Sequence, residues 1–220
     1  LLRYYQYYGK YTVGVDFMGN DHDIIEGDIS QPDTISQQLQ ECDVIIHTAA
    51  LVSNAMQDSD MWQVNVLATR NLIQAAKEHK VRRFVQISSI VAYGNSAEGE
   101  LDETHPVHAD GGSYVLTKLA SEHVVLSEQA NDDIEVVIIR PGDAYGPGSR
   151  PWIIAPLEAI AKNQFMLPEK GEGFFRPIYI DDLVRGIAIA SRHPDAAGEI
   201  FNLSCEGYMF TKDYFTPHYR

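Results

Sequence analysis

The 220-residue sequence predicts an α/β fold, a doubly wound parallel sheet in which short strands alternate with longer helices. Two observations carry this. The runs Val44-Ile45-Ile46 and Val136-Val137-Ile138-Ile139 are apolar without alternation, as suits strands covered on both faces of a parallel sheet. Short apolar runs of this kind also alternate with longer helical patterns along the chain. In order, Tyr11–Phe17 and Asp23–Glu26 are expected as strands, with Pro32–Gln40 as the helix that follows. Val44–Thr48 is the next strand, and Ser59–His79 is a helix with a broad apolar face. Phe84–Ser88 leads to the second broad-faced helix, Ser113–Ala130, and Glu135–Arg140 is the strand after it. Helices Pro151–Asn163 and Asp181–Arg192 and the strand Glu199–Leu203 complete the pattern. Glycine and proline gather at Gly142–Pro151 and Pro168–Pro177, which read as loops at one end of the sheet. There is no internal repeat and no linker.

Composition narrows the function class. Apolar residues make up 45%, enough for a substantial core in one domain. The balance of 17 basic to 31 acidic residues, formally −14, argues against nucleic acid or an anionic membrane as the main partner. No apolar run approaches the ~20 residues needed to span a bilayer. Leu1-Leu2-Arg3 leads into a tyrosine-rich polar stretch rather than a signal-peptide core. A cytoplasmic location is the expectation. The two cysteines, Cys42 and Cys205, flank apolar runs and read as small buried residues, with no disulfide and no metal site.

The chemistry is carried by Tyr114 and Lys118, four apart at the start of a helix and so on one face. An ammonium beside a phenol is expected to lower its pKa toward working pH. Ser89 ends a strand 25 residues earlier. Such a Ser–Tyr–Lys set can pass a proton to or from an alcohol or ketone oxygen. The Tyr-x-x-x-Lys pattern alone is weak: 12 Tyr and 7 Lys yield roughly 0.4 chance matches. A second copy, Tyr208 to Lys212, lacks a strand-end serine and a clear helix, and is set aside as a decoy.

Further segments fall around this set. They are Gly27-Asp28-Ile29, His47-Thr48-Ala49-Ala50, Asn65-Val66-Leu67-Ala68-Thr69, Ser88-Ser89-Ile90-Val91-Ala92-Tyr93-Gly94, Arg140-Pro141-Gly142-Asp143-Ala144-Tyr145-Gly146-Pro147-Gly148 and Asp181-Asp182-Leu183. In this order the chain resembles the extended short-chain dehydrogenase/reductases, the NAD-dependent epimerase/dehydratase family. The resemblance runs through essentially the whole chain and implies a Rossmann-type NAD-binding domain over residues 1–220. Substrate-binding parts would come from about 148–177 and 204–220. Proteins of this kind open with a strand, a glycine-rich turn and a helix that hold the cofactor pyrophosphate. Those features have no match here, and Leu1–Gly9 looks like the tail of that helix. The resemblance therefore implies an N-terminally truncated domain, a piece of a longer protein. It places the lacking strand between Tyr11–Phe17 and Val44–Thr48.

The resemblance also implies site roles. Asp16, near the end of the second family strand, would accept from the adenosine ribose hydroxyls and select NAD. No arginine or lysine lies between Lys10 and Arg70 to hold a 2′-phosphate. Asp28 and Ile29 would meet the adenine. Thr48, Ala49 and Ala50 would line the dinucleotide groove, and Asn65 would order the region. Pro141 would lie near the nicotinamide. Lys118 would hold the nicotinamide ribose, Tyr114 would be the general acid–base, and Ser89 would bind the substrate oxygen. Asp143 and Arg176 would line the substrate. His47 reads as structural, as does Ser88.

The resemblance narrows the reaction too. Family dehydratases carry acidic residues directly after the catalytic hydroxyl, where Ile90 and Val91 stand here. Nucleotide-sugar epimerases commonly carry asparagine at the position of Asp143, and an arginine at that of Phe175, one residue before Arg176. Trp152, Met166, Phe174 and Phe175 suggest an apolar pocket. The leading expectation is an NAD-dependent oxidoreductase of the 3β-hydroxysteroid-dehydrogenase-like branch, acting on a small-molecule alcohol or ketone as a homodimer. A nucleotide-sugar 4-epimerase is the alternative, and a non-catalytic NAD-binding scaffold or sensor a third.

Overall fold

The computed structural model of the protein describes residues 1–19, 23–52, 57–94, 99–130 and 133–219. It divides into two compact units: residues 1–140 with 187–201, and residues 141–186 with 202–220. The stretches 148–177 and 204–220 both fall in the second unit.

In the first unit, helix α1 (Leu2–Tyr7) precedes two short parallel strands, β1 (Gly14–Asp16) and β2 (Ile24–Glu26). Gly27 follows β2 where no side chain fits: a Cβ there would lie 2.5 Å from Ile35 and 2.8 Å from Val15. Strands β3 (Val44–His47), β4 (Arg83–Ile87) and β5 (Glu135–Pro141) form a second, parallel sheet, extended by the strand Ile200–Leu203. Strands β1 and β2 form a sheet separate from the one holding β3. The apolar runs behave as their composition requires. Phe84, Val85, Val137, Ile138 and Ile139 have no solvent exposure, so consecutive residues of β4 and β5 are covered on both faces.

Helices α2 (Ser36–Gln40), α3 (Asp58–Trp62), α4 (Thr69–Glu78) and α5 (Ser113–Gln129) supply the cover. Ile35, Leu39, Leu72, Ile73, Ala76 and Val125 pack with Phe84, Val136 and Ile138 in one core. Burying each large side chain contributes about 1.5–3 kcal/mol. At the other end of β4, buried Arg83 donates to the Ala190 and His193 carbonyl oxygens at 2.9 and 2.8 Å. These close the helix Ile180–Ala190, whose terminal carbonyls favour a cation.

Three expectations change. Pro32–Gln40 is helical, but its first turn, Pro32–Ile35, is a 3-10 helix. Ser59–His79 is helical as far as Glu78, yet residues Gln63–Ala68 between α3 and α4 form a π-helical turn. The expected strand Tyr11–Phe17 shortens to the residues that pair with β2.

In the second unit the glycine- and proline-rich stretches are not loops throughout. Strand β6 (Asp143–Tyr145) pairs in parallel with Pro177–Tyr179, and Phe174–Phe175 pairs antiparallel with Met209–Phe210. Helix α6 (Ala155–Ala161) follows a π-helical turn, Arg150–Ile154. Phe175 is the buried anchor, with Trp152 and Tyr214 against it at ring distances of 4.8 and 4.2 Å.

Phe84→Ala is expected to lower the unfolding free energy by about 3–5 kcal/mol, measured by urea denaturation. A loss below ~1 kcal/mol would mean that β4 is not packed as described.

Candidate active site

Strand β4 ends at Ile87, and buried Ser88 continues it by donating its N–H to the Ile139 carbonyl at 2.7 Å. Ser89 then caps a 3-10 turn, Ile90–Tyr93, its hydroxyl oxygen accepting from the Val91 N–H at 3.3 Å. Helix α5 starts at Ser113, whose hydroxyl donates to Asp58 of α3. Tyr114 therefore sits in its first turn, Lys118 one turn later and Glu122 one turn further, four residues apart.

The structure brings Ser89, Tyr114 and Lys118 together. Ser89 stands near enough to Tyr114 for its hydroxyl to pull on the phenol. The Lys118 ammonium donates to the Ile87 carbonyl oxygen at 2.9 Å and lies 5.9 Å from the centre of the Tyr114 ring. The expected electrostatics are corrected here. Burial pushes the Tyr114 phenol above its ordinary value, against a downward pull from Ser89. Burial brings Lys118 down to about 8, with Glu122 opposing the shift. The ammonium is spent on a carbonyl rather than on the phenol, so removal of the hydroxyl from water decides the sign. The decoy falls apart in space. Tyr208 precedes the strand Met209–Phe210, while Lys212 lies in the helix Thr211–Phe215 with its ammonium over Phe210 at 5.0 Å.

Asn65 sits in the π-helical turn and is 2% exposed, which demands partners for its amide. Its Oδ1 accepts from the Leu51 N–H at 2.7 Å, and its Nδ2 donates to the Leu51 carbonyl and to Thr117, each at 3.0 Å. It thus ties the segment after β3 to the residue beside Lys118. π turns recur at functional sites. Behind Asn65, its carbonyl accepts from the Thr69 hydroxyl at 2.8 Å, and Thr69 meets His47 Nε2 at 2.9 Å. Burial, with a smaller contribution from the Lys118 charge, takes His47 down to about 3. It is a neutral structural imidazole.

The other expected cofactor residues stand at strand ends. Asp16 ends β1, exposed, with Oδ1 accepting from the Met18 N–H at 3.2 Å. Asp28 follows β2 and accepts from the Ser30 N–H at 2.8 Å and from Gln31 Nε2 at 3.1 Å. The Ser30 bonds hold its carboxyl below the ordinary value. Ile29 packs on the core. Thr48 and Ala49 are exposed just past β3, Ala50 is half-buried, and Pro141 closes β5.

Asp143 and Arg176 lie in the second unit. They meet through backbone: the Asp143 N–H donates to the Arg176 carbonyl at 2.7 Å, and the Arg176 N–H donates to Asp143 Oδ2 at 3.0 Å. Burial raises the Asp143 carboxyl, and the Arg176 N–H opposes it. The Arg176 guanidinium donates to the Gly207 carbonyl at 2.5 Å and lies 5.8 Å from both the Phe174 and the Tyr208 rings. The expected apolar pocket is not assembled from the four residues named for it. Trp152 and Phe175 pack together, while Phe174 and Met166 are 63% and 85% exposed. Cys205 is exposed and Cys42 half-buried, so the expectation of two buried thiols holds for neither in full. Among the described residues, no group of three or more His, Cys, Asp or Glu is placed to hold a metal ion. No helix among them is long and apolar enough to cross a membrane.

Sequence reasoning did not single out Glu122, Arg140 or Tyr93 as site residues. Arg140 Nε and Nη2 donate to the two Glu122 carboxylate oxygens at 3.0 and 2.7 Å, and its Nη1 donates to Tyr93 Oη at 3.0 Å. The available signal was Glu122 itself, an acid continuing the Tyr114–Lys118 series at the same spacing.

Residues 5–204 match the NAD dependent epimerase/dehydratase family. A 4-hydroxy-2-methyl-3-oxo-4-farnesyl-3,4-dihydroquinoline-1-oxide ketoreductase of Stigmatella aurantiaca is 27% identical over 184 residues, 82% of this chain and 54% of the relative. A decarboxylating sterol-4-alpha-carboxylate 3-dehydrogenase of Candida albicans is 34% identical over 143 residues, 62% and 40%. A UDP-glucose 4-epimerase of Vibrio cholerae is 30% identical over 190 residues, 81% and 56%. The chain spans about half the length of these relatives. The structure of MoeE5 in complex with UDP-glucose and NAD superposes with a TM-score of 0.88 at 24% identity, covering 98% of this chain and 75% of that one. It shares the fold.

The buried neutral imidazole sets a pH dependence. Its folded pKa of about 3 lies below the unfolded 6.5, so the unfolded chain binds the extra proton between them. Stability from this group is complete above 6.5 and falls as pH drops toward 3. The unfolding free energy of His47→Gln is expected to change less across that window than that of the parent, in urea titrations at successive pH values. Parallel curves would show that His47 is protonated in the fold.

Proposed function

The chain belongs to the NAD dependent epimerase/dehydratase family, and on that premise we propose that it is an NAD-dependent oxidoreductase interconverting a secondary alcohol and a ketone, in the 3β-hydroxysteroid-dehydrogenase-like branch. The observation that carries this reading is the gathering of Ser89, at the turn after β4, with Tyr114 and with Lys118 one turn on, its ammonium 5.9 Å from the Tyr114 ring. The residues present fit the cofactor. The Lys118 ammonium has three donors, of which the Ile87 carbonyl takes one, and small side chains stand exposed past β3. Tyr114 and Lys118 would hold the nicotinamide ribose, with Asn65 ordering the region, Pro141 near the ring, and Thr48, Ala49 and Ala50 along the groove. Asp16 would hold the adenosine ribose, with Asp28 and Ile29 at the adenine. When bound, NAD supplies the hydride chemistry.

The protein's own part is proton transfer and charge stabilisation. Ser89 donates to the substrate oxygen and steadies the charge that develops there. Tyr114 gives its proton to that oxygen in reduction and takes it in oxidation. Burial favours the protonated phenol, the form reduction needs. Ile90 and Val91 offer no acid–base group, which argues against dehydration. The kinship with the ketoreductase and the sterol dehydrogenase supports plain alcohol–ketone redox.

The kinship with the UDP-glucose 4-epimerase supports a nucleotide-sugar 4-epimerase as the competing reading. Against it stand the Asp143 carboxylate and an Arg176 guanidinium engaged by Gly207 and two aromatic rings. We further propose a homodimer formed through the helical face that exposes Trp62 (40%) and Leu67 (44%). Light scattering should return twice the chain mass, and a monomer at micromolar concentration would refute it.

Tyr114→Phe is expected to lower turnover of the alcohols or ketones found with the purified protein by about 10²–10⁴-fold, with a much smaller loss of NAD affinity, since Lys118 still holds the ribose. Full activity in this variant would defeat the mechanism. Activity absent from parent and variant alike would favour a non-catalytic NAD-binding scaffold. Tight UDP-glucose binding that is lost in Arg176→Ala would favour the epimerase.

A further inference from the structure

Among the described residues of the first unit, one ion pair is buried on both sides: Arg140 is 3% and Glu122 1% exposed at the side chain. The contact is bidentate, and the third arm of the guanidinium reaches Tyr93 Oη. The guanidinium also lies over the Tyr93 ring, 4.9 Å from its centre. Tyr93 Oη in turn donates to the Asp102 carbonyl at 2.9 Å, and the His108 N–H donates to the Ala92 carbonyl at 3.1 Å. The three residues stand on the three elements that shape the catalytic region. Glu122 is on the helix of Tyr114 and Lys118, Tyr93 ends the turn that Ser89 caps, and Arg140 precedes Pro141 on β5.

A buried ion pair is a poor way to stabilise a fold, because desolvation offsets the attraction and apolar residues of similar volume do as well. This one is fully hydrogen-bonded and tied to the site from three sides. We propose that Glu122, Arg140 and Tyr93 are positioning residues for the Ser89–Tyr114–Lys118 site, locking its three backbone elements in register and keeping Lys118 charged. The inference rests on the oxidoreductase reading above. The titratable groups facing Lys118 are Tyr114 and Glu122 on its own helix and His47 from β3, and His47 is neutral. Glu122 is therefore the charge that favours the ammonium, and Arg140 fixes where that carboxylate stands. Tyr93 acts on Ser89: with its hydroxyl bonded at both ends, the 3-10 turn holds the serine hydroxyl against Tyr114.

The test separates positioning from folding. The full chain is labelled with ¹³Cε-lysine and ¹³Cζ-tyrosine, and the Lys118 and Tyr114 resonances are assigned by their loss in Lys118→Met and Tyr114→Phe. In the double variant Glu122→Met/Arg140→Met the melting temperature should stay at or above that of the parent. Its Lys118 titration midpoint should nevertheless fall by about one pH unit. Tyr93→Phe keeps the ring over Arg140 and should raise the Tyr114 midpoint by about half a unit, as Ser89 moves away from the phenol. Either midpoint staying within ~0.2 units of the parent overturns the proposal. If the double variant does not fold, the Tyr93→Phe titration decides alone. Failure of the oxidoreductase reading shows separately, as turnover that Tyr114→Phe leaves unchanged.

Discussion

Lys118 has been taken out of water. Its ammonium, 4% exposed, meets the Ile87 carbonyl where β4 ends, and among the described residues no carboxylate lies within ion-pairing distance of it. Moving a cation into such a place costs several kcal/mol unless the surroundings offer dipoles and a counter-charge. Much of the first unit can be understood as supplying them. Strand β4 ends at Ile87, and its carbonyl takes the ammonium of α5. Helix α5 must then lie close, and the small or hydroxylated residues on its inner side, Thr117 and Ser121, let it. Ser121 donates to the Lys118 carbonyl at 2.7 Å, and Thr117 accepts from Asn65.

The same burial explains why polar residues gather inside an apolar shell. Each has been matched to a backbone group that the fold leaves open. Asn65 takes both the N–H and the carbonyl of Leu51, which lie past the end of β3 with no strand to pair them. The π turn advances the helix by the extra residue that brings the amide level with that segment. Apolar residues at these positions would leave Leu51 unsatisfied, at about 1–3 kcal/mol per group. Order in the segment after β3 is thus a by-product of hydrogen-bond satisfaction.

What the sequence made legible follows from what is local. Apolar runs placed the strands of the larger sheet within a residue or two, because burial on both faces leaves a mark on every position. The Tyr114–Lys118 spacing was legible because one helical turn joins them, and Ser89 because it ends a strand. The short strands at Asp143–Tyr145 and Phe174–Phe175 were not, since their partners lie far along the chain and their residues look like turn formers. The Glu122–Arg140 pair needed the knowledge that α5 lies against β5. The sign of the Tyr114 shift needed the depth of the hydroxyl, which spacing does not carry: proximity of a cation predicts a fall, and burial reversed it. Cys205 shows the same limit, an exposed thiol beside an apolar strand.

The chain as a whole carries a formal −14, yet its buried centre is short of negative charge. Arg140 engages both oxygens of Glu122, so that carboxylate offsets the Lys118 charge only in part. The group of Lys118, Glu122 and Arg140 therefore sums to one uncompensated positive charge beside Tyr114. With Lys118 4% exposed, water screens it only weakly. On the proposed mechanism, the missing charge appears only when the phenol gives up its proton or the substrate oxygen gathers electron density. The protein thus holds an unfavourable arrangement at rest that becomes favourable as the reaction proceeds. Interactions that strengthen only along the reaction path raise rate rather than ground-state binding. The energetic strain of a half-neutralised interior and the capacity to move a proton at Tyr114 are then one property of the same buried group of charges.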